Sequence, residues 1–366
     1  MEPTTEAMVD EVMRLVSVES PTADVDACGR AVAAAAGACG RWLPGSARIT
    51  EHRGRPVLQW GPARPRVLLL GHLDTVWPLG TLDRLPCRAD AGRITGPGVF
   101  DMKAGAVQAI VGLALSGVGA DDAVGLLLTT DEETGSPTSR DLITDVAGDA
   151  RAVLVFEPSL DGRLKTRRKG TSWYSVRCIG RAAHAGLDPE RGINALLDAS
   201  AFALAAHHWG DAPAGTTVTP TTMRAGTTTN TVASEAVLTL DVRAWSRDEQ
   251  ERVDALVRDW QPTHGTVEIS GGIDRAALEA ENSAALFAIA RAVADEVGLS
   301  ELGEAAVGGA SDGNLTAAMG IPTLDGLGAV GDGAHADHEW ASIDELLPRA
   351  RLAAGIVDTL RGAGHG

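Results

Sequence analysis

Aromatic residues are scarce in this sequence, where Trp, Tyr and Phe together make up 4% of 366 residues. Hydrophobic residues still account for 44%, so a packed core is possible, but Ala, Gly, Val and Leu must build most of it. The length is sufficient for one large domain or for two ordinary ones.

Basic residues are also few, because 32 Lys and Arg oppose 49 Asp and Glu and the formal net charge is −17. This charge argues against nucleic acid and against anionic membrane surfaces as partners. The excess of acid has two open interpretations. It serves solubility alone, or part of it belongs to carboxylates that are grouped around cations.

The sequence lacks the features of an exported or membrane-inserted chain. Its first residues, MEPTTEAMVDEVMRLVSVES, have no basic start followed by an apolar core, as a signal peptide would. No apolar run reaches the length of a membrane span, and the four cysteines form no CxxC pair. We therefore expect a cytoplasmic protein with free, buried thiols. The same first residues predict an amphipathic helix after a Thr cap, with one face formed by Met8, Val12 together with Met13, Leu15 and Val16.

What the sequence does contain is a set of short apolar runs that predict fully buried strands. These runs are RVLLLGH (66–72), AVGLLLTTD (123–131), RAVLVFE (151–157) and IPTLDGL (321–327). Helical patterns lie near them, at 101–117 and 346–362. Buried strands that alternate with helices predict an α/β fold with a mostly parallel sheet covered on both faces. We assign this catalytic domain to residues 1–169 and 281–366.

The segment between these two parts has a different pattern. Its runs TSWYSVRCIG, TTVTPTTMRAG, EAVLTLDVRAW and GTVEISGG are rich in Thr and Val and alternate in polarity, which is typical of an antiparallel sheet with one open face. Two helical patterns, GINALLDASAFALAAHHWG and SRDEQERVDALVRDW, interrupt them. Residues 170–280 are therefore predicted to form an inserted α/β sandwich, with its helices on one face of the sheet.

Polar residues follow the apolar runs of the catalytic domain. They are His72 and Asp74, then Asp101, Glu132 and Glu133 after the turn residue Asp131, Glu157, and His335. In open α/β sheets ligands bind at the carboxyl ends of the strands, so these side chains should converge. Two histidines and several carboxylates form a borderline-to-hard ligand set, which suits Zn, Mn or Co and differs from a thiolate site. Grouped carboxylates repel one another, and two divalent cations bridged by one Asp would relieve that repulsion.

Five motifs in this order resemble the M20 family of metallopeptidases, and most closely its glutamate carboxypeptidase branch. The motifs are GHLDTVWP, GPGVFDMKAG, TTDEETGS, FEPS and AHADHEW, and the resemblance extends from about residue 66 to residue 345. It implies a catalytic domain of the zinc-peptidase type with an inserted lid and dimerisation domain. It also implies a cis peptide bond between Asp101 and Met102.

The resemblance assigns a metal ligand or bridge to each of five residues. His72 and Glu157 resemble the ligands of one metal, His335 and Glu133 those of the other, and Asp101 the bridging carboxylate. For the last motif, His338 competes with His335. We prefer His335, because an Ala-His pair followed four residues later by Glu matches the family at that position.

Two further residues of these motifs resemble groups that act on the reaction. Glu132 resembles the general base that takes a proton from the attacking water. Asp74 resembles the acid that orients the ring of His72, as carboxylates commonly do for a ligand histidine. This relation explains why a histidine and an aspartate end the first buried strand.

The inserted domain carries residues that resemble the family's substrate contacts. His184 is implied to stabilise the oxyanion, often across a dimer interface, whereas Asn230 and Arg243 are implied to bind a substrate carboxylate. Lys165 resembles a lysine directed at an acidic substrate side chain, although it also belongs to a general basic stretch. Ser311, in the Gly-rich turn GGASDGN (308–314), either helps to bind an anion or caps a helix.

Together these features predict a two-metal amidohydrolase, with Zn as the preferred metal and Co or Mn as alternatives. The expected substrate is a small-molecule amide with a free carboxylate, such as an N-acyl amino acid or a dipeptide-like molecule with C-terminal Glu. One alternative is a biosynthetic N-acyl amino acid deacylase. Another is a homologue that binds such a ligand without hydrolysing it, against which the presence of Glu132 and of every metal ligand argues. We expect a homodimer and no nucleic-acid or membrane partner.

Overall fold

The computed structural model describes residues 3–299 and 301–362. The chain divides into two compact units. The first comprises the residues up to Arg167, Ala280–Val307 and the residues from Ser311 onward. The second comprises Arg168–Glu279 and the short segment Gly308–Ala310. The main limits lie within two residues of the expected boundaries at 169/170 and 280/281, and the short segment had been expected in the catalytic domain.

Ten α-helices occur within these described ranges. In chain order they are α1 Thr5–Val16, α2 Val25–Trp42, α3 Thr81–Arg84, α4 Ala104–Leu115, α5 Arg140–Ala147, α6 Ala195–His207, α7 Arg247–Asp259, α8 Ala280–Val297, α9 Gly313–Ala318 and α10 Leu346–Gly362. Short helical turns also occur at Glu132–Thr134 and Pro189–Arg191. The predicted helix after the Thr cap is confirmed, because the side chain of Thr4 accepts the N–H of Ala7. Its predicted apolar face is buried, except for Met13, which is half-buried.

The strands in chain order complete the framework. They are β1 Arg48–His52, β2 Arg55–Trp60, β3 Val67–His72, β4 Arg88–Asp90, β5 Arg93–Thr95, β6 Val124–Thr129, β7 Ala152–Val155, β8 Leu164–Arg168, β9 Gly170–Ile179, β10 Thr217–Ala225, β11 Glu235–Ala244, β12 Thr266–Arg275, β13 Glu304–Val307, β14 Thr323–Leu324, β15 Gly331–Asp332 and β16 Trp340–Ser342.

The main sheet of the first unit has the strand order β1-β2-β6-β3-β7-β14. Strand β3 is parallel to β6 and to β7, and β14 is parallel to β7, whereas β1 and β2 form an antiparallel edge. The predicted α/β class with a mostly parallel sheet is therefore confirmed. The run IPTLDGL forms a strand of only two residues, because the chain turns at Gly326, whose φ is +79°.

Both faces of the main sheet are covered, because successive residues of a strand point to opposite sides. On one face Leu69, Leu126 and Leu154 join a core with residues of α1, α2, α4, α8 and α10. On the other face Leu68 and Leu127 pack with residues of α5 and α9. Leu, Val and Ala supply most of both cores, as the shortage of aromatic residues requires.

The second unit contains an antiparallel sheet in the order β10-β11-β9-β12. Alternate residues of β9 and β11, such as Val176 and Leu240, are buried in a separate core with residues of α6 and α7. On the opposite side of β9 the side chain of Trp173 is 44% exposed. The predicted combination of an alternating sheet and two helices is thus present in this unit.

Two expectations about membranes and thiols can be compared with the structure directly. In the ranges that the structure describes, every helix is too short or too polar to cross a bilayer. The structure describes all four cysteines, and each is a free thiol, with Cys28, Cys39 and Cys178 buried and Cys87 half-buried.

Two glycines in helices provide a matched test of this packing. A Cβ added to Gly105 in α4 would lie 2.1 Å from the carbonyl oxygen of Phe156, whereas one added to Gly29 in α2 would meet nothing within 4 Å. We expect Gly105→Ala to lower the free energy of unfolding by about 1–3 kcal/mol, because the helix must move away from β7. Gly29→Ala should raise it by about 0.5–1 kcal/mol through helix propensity. Chemical denaturation of both variants measures the difference, and equal effects would contradict this close approach.

Candidate active site

His72 lies at the carboxyl end of β3 and is 1% exposed. Its Nδ1 atom lies 3.0 Å from the backbone oxygen of Asp74 and 3.3 Å from the carboxylate of the same residue. On the far side of the ring, Nε2 lies 3.2 Å from Asp101 and 3.5 Å from Glu157. Asp74 therefore contacts the ring at Nδ1, and Nε2 is directed at two carboxylates.

Asp74 has a second task that the sequence did not predict. This buried carboxylate accepts the hydroxyl of Thr22 at 2.7 Å, the N–H of Glu132 at 3.3 Å and the N–H of Glu133 at 3.2 Å. The same side chain thus contacts the ring of His72 and the backbone of the turn Glu132–Thr134. This acid therefore connects the end of β3 with the turn that follows β6.

Asp101 lies in an irregular turn, Val99–Lys103, that precedes α4. The peptide bond between Asp101 and Met102 is cis, which confirms that expectation. One carboxylate oxygen of Asp101 lies 3.2 Å from Nε2 of His72, and the other lies 3.4 Å from Nε2 of His335. This aspartate therefore stands between the two histidines with one oxygen toward each.

His335 and Glu133 face each other on the other side of Asp101. Nε2 of His335 lies 3.0 Å from Oε2 of Glu133. The side chain of Glu133 is 6% exposed and that of His335 is 49% exposed, so this half of the site opens toward solvent. The neighbouring His338 is also exposed and, within the described residues, forms no ion pair with these carboxylates.

The donor set fits divalent cations. Two overlapping groups have ligand atoms within 4.8 Å of one another: His72 with Glu132 and Glu157, and His72 with Asp101 and Glu133. Oε1 of Glu133 is buried and has no hydrogen-bond partner within the described ranges, which is costly unless a cation occupies that position. Imidazole and carboxylate ligands of this kind suit Zn, Co or Mn.

The electrostatics of the site agree with this fit. Burial alone would lower the pKa of His72. Hydrogen bonds to nearby carboxylates, first to Asp101, outweigh burial and raise this pKa well above its usual value. Hydrogen bonds to Asp101 and Glu133 raise the pKa of His335 to about 10. Burial also opposes the lowered pKa of Asp101, which hydrogen bonds from His335 and His72 produce. Each imidazole thus favours a positive charge at a position where a bound cation would displace its proton.

Glu339 is a residue of this region whose role was not predicted from the sequence. Its carboxylate is 3% exposed and accepts N–H groups of Trp77, Gly98, Phe100 and Asp101. The available signal was its position four residues after His335 in AHADHEW. That spacing identified the histidine but gave no indication of what the glutamate contacts.

In the second unit the structure places His184 and Asn230 side by side. The N–H of Ala185, which follows His184, donates to the backbone oxygen of Asn230 at 2.9 Å. The side chains of His184 and Asn230 are exposed. Nδ1 of His184 accepts the N–H of Gly186 at 3.1 Å. In the neutral imidazole the proton therefore resides on Nε2, which makes that atom a hydrogen-bond donor.

Arg243 lies at the opposite end of the same sheet. It pairs with Thr171 of β9, whereas Glu235, where β11 begins beside the Asn230 loop, pairs with Ile179. These eight residues of strand correspond to roughly 26 Å. The guanidinium of Arg243 is engaged by Asp241 through hydrogen bonds of 2.9–3.2 Å.

The two remaining expected substrate contacts lie in the first unit. Lys165 is half-buried, and its backbone N–H donates to Asp325 at 2.8 Å. Ser311 is fully buried; its hydroxyl donates to Asp325 at 2.5 Å and accepts the N–H of Gly313 at 3.1 Å. The hydroxyl of Ser311 therefore lies at the start of α9, and its role in binding an anion stays a prediction.

Comparison with known proteins identifies the family of this chain. Residues 68–359 match the peptidase family M20/M25/M40. The chain is 32% identical over 316 residues to carboxypeptidase G2 of Pseudomonas sp. (strain RS-16), covering 83% of this chain and 76% of that protein. The chain belongs to the M20 family. It is therefore a hydrolase that acts on amide bonds, in a family that uses divalent metal ions.

Solved structures of M20 enzymes share the fold. A tripeptidase from Staphylococcus aureus superimposes with a TM-score of 0.74 at 22% identity, covering 98% of this chain and 99% of that one. An M20 family metallo-carboxypeptidase from Sulfolobus solfataricus gives a TM-score of 0.72 at 15% identity, covering 99% of this chain and 100% of that one. At these identities the likeness supports the fold alone.

Removal of a single histidine tests the metal centre. His335→Ala should reduce the zinc bound per chain, because it removes the imidazole that faces Asp101 and Glu133. His338→Ala, three residues along the same exposed loop, should leave the zinc content unchanged. Elemental analysis after dialysis of zinc-loaded protein measures both. Full zinc content in His335→Ala would contradict the assignment.

Proposed function

We propose that this M20 enzyme is a two-metal amidohydrolase that cleaves N-acyl amino acids or dipeptide-like molecules with a free carboxylate. The observation that carries the proposal is the position of Asp101, with one oxygen 3.2 Å from His72 and the other 3.4 Å from His335. A carboxylate between two imidazoles in this way suits a bridging ligand. Glu157 belongs with His72, and Glu133 with His335.

The reaction needs a base beside this centre, and Glu132 is the residue proposed for it. Divalent cations held there would polarise the amide carbonyl and lower the pKa of water. Glu132 takes the proton of the attacking water and returns it to the leaving amine. Its backbone N–H is fixed by Asp74, and its carboxylate lies within 4.8 Å of ligand atoms of His72 and Glu157.

The substrate carboxylate is assigned to Arg243. A guanidinium binds a carboxylate through two parallel hydrogen bonds, and Asp241 already occupies the fork of Arg243 in this way. A substrate carboxylate would take the place of Asp241. The similarity to a relative named carboxypeptidase G2 favours a carboxylate next to the scissile amide, and Lys165 is proposed to favour an acidic side chain.

The sheet of the second unit supports a homodimer. Arg243 lies about 26 Å along β11 from the end that carries His184 and Asn230, which is too far for one lid to present all three to one small substrate. We propose that Arg243 acts in its own subunit and that a partner supplies His184 and Asn230. On α6, Leu197 and Leu204 are 56% and 70% exposed, so a second copy could cover apolar surface there. Two-fold pairing is the commonest way to close such an assembly.

His184 is suited to the oxyanion of the tetrahedral intermediate. Its Nδ1 is occupied by the N–H of Gly186, so Nε2 is available as a donor. A donor directed at the developing oxyanion contributes several kcal/mol, on the order of 3, to the stabilisation of the transition state.

A substrate panel tests this function. Metal-stripped protein would be given Zn, Co or Mn and assayed with N-acyl amino acids and with dipeptides that have C-terminal Glu or a neutral residue. We expect metal-dependent release of the amino acid, and higher kcat/KM for substrates with a free carboxylate than for their amides. Preference for small acyl groups would favour the biosynthetic deacylase. Equal rates on acid and amide substrates would contradict a carboxylate-binding role for Arg243.

Glu132→Gln tests the base. The amide preserves the shape of the side chain but does not accept a proton, so kcat should fall by about 10²–10⁴-fold. Bound zinc and KM should change little. Turnover close to that of the wild type, in protein with normal zinc content, would exclude Glu132 as the base.

Co-expressed heterodimers test the division of residues between subunits. A chain with His184→Ala paired with a chain with Glu132→Gln should recover activity, because one site then has an intact base and a donated imidazole. Arg243→Ala paired with Glu132→Gln should not recover, since Arg243 is needed in the subunit that holds the base. Activity of purified, differently tagged heterodimers measures this. The reverse pattern would place His184 in its own subunit.

A further inference from the structure

Glu339 is a buried carboxylate whose hydrogen bonds, within the part of the chain that the structure describes, all go to groups around the metal ligands. Oε1 accepts the N–H of Phe100 at 2.9 Å and that of Asp101 at 3.0 Å. Oε2 accepts the N–H of Gly98 at 2.8 Å and the indole N–H of Trp77 at 2.8 Å. Both oxygens of a carboxylate accept hydrogen bonds and neither donates one, so this side chain satisfies all four donors at once.

These bonds connect three segments that each carry a proposed ligand. Trp77 follows His72 by five residues, on the segment that leaves β3. Gly98 to Asp101 form the turn that carries the bridging carboxylate, and the bond from the N–H of Asp101 reaches that residue itself. Glu339 follows His335 by four residues and closes that loop through its own N–H to Ala336 at 2.9 Å. One side chain therefore joins the His72, Asp101 and His335 segments.

A glutamine would not replace this carboxylate. Its amide has one acceptor oxygen, and its NH2 group would face two N–H donors. In either orientation of the amide, two of the four hydrogen bonds are lost and the NH2 group faces the two N–H groups that made them. A buried donor without a partner destabilises its surroundings, and here the surroundings are the turn of Asp101.

We propose that Glu339 is a positioning residue of the metal centre, which holds Asp101 between the His72 and His335 segments and thereby sets metal affinity. This inference rests on the proposed two-metal function. Glu339 touches no reacting atom in this arrangement. Its effect on the centre passes through the backbone of the Gly98–Asp101 turn and through Trp77.

The test compares Glu339→Gln with a matched buried glutamate. Glu11 is 2% exposed and is paired with Arg41 and Arg14 between α1 and α2, so Glu11→Gln removes a buried carboxylate that contacts no ligand. Metal-stripped full-length proteins are titrated with Zn²⁺ in competition with a chromophoric chelator. Loss of a partner of a ligand typically weakens metal binding by about 10–100-fold, and we expect this for Glu339→Gln. Glu11→Gln should bind Zn²⁺ as the wild type does, even if its unfolding temperature falls.

Trp77→Phe provides a second measurement in case Glu339→Gln does not fold. It keeps an aromatic side chain and removes the indole N–H that donates to Glu339, so Zn²⁺ binding should weaken less than in Glu339→Gln but more than in Glu11→Gln. Wild-type affinity in folded Glu339→Gln overturns the inference, as does wild-type affinity in Trp77→Phe when Glu339→Gln does not fold. A wild-type chain that binds no Zn²⁺ would instead overturn the proposed function.

Discussion

The repulsion between buried carboxylates is the constraint on which the rest of this structure depends. Asp101, Glu133 and Glu157 have side chains that are 15%, 6% and 10% exposed, and all lie within 3.5 Å of an imidazole nitrogen. At low dielectric such charges repel strongly. The parallel strands β3, β6 and β7 nevertheless end beside one another, which brings Glu133 and Glu157 close to His72, and the turn before α4 adds Asp101. Imidazole protons offset part of that repulsion, and divalent cations would offset it further.

Two other buried acids restrain the backbone around these groups. Asp74 accepts the N–H groups of Glu132 and Glu133 and contacts His72, whereas Glu339 accepts N–H groups of the Asp101 turn. The oxygens of both side chains are met by N–H donors rather than by other acids. They can therefore fix the positions of the ligands without competing for the cation.

Much of the first unit could be predicted from its sequence, because buried strands and their polar ends are local patterns. The runs that end at His72 and Glu157 are examples, and the order of the motifs identified the family. Contacts that depend on distant parts of the chain could not be predicted in this way. The bond from Trp77 to Glu339 joins residues 262 positions apart. Likewise, the distance between Arg243 and His184 follows from strand register in β9 and β11, which the alternating pattern predicts only approximately. Ser311 lies in a Gly-rich turn that suits either an anion or a cap, and its hydrogen bonds to Asp325 and Gly313 depend on packing that this local pattern does not specify.

Two cations that share Asp101 are the central feature of the proposed mechanism. Crystals grown with Zn²⁺ and measured on both sides of the zinc absorption edge test it most directly, because the anomalous signal locates zinc independently of the protein chain. We expect two peaks roughly 3.5–4 Å apart, one beside His72 and Glu157 and one beside His335 and Glu133, with Asp101 between them. A single peak at full occupancy, or two peaks that Asp101 does not contact, would contradict this mechanism.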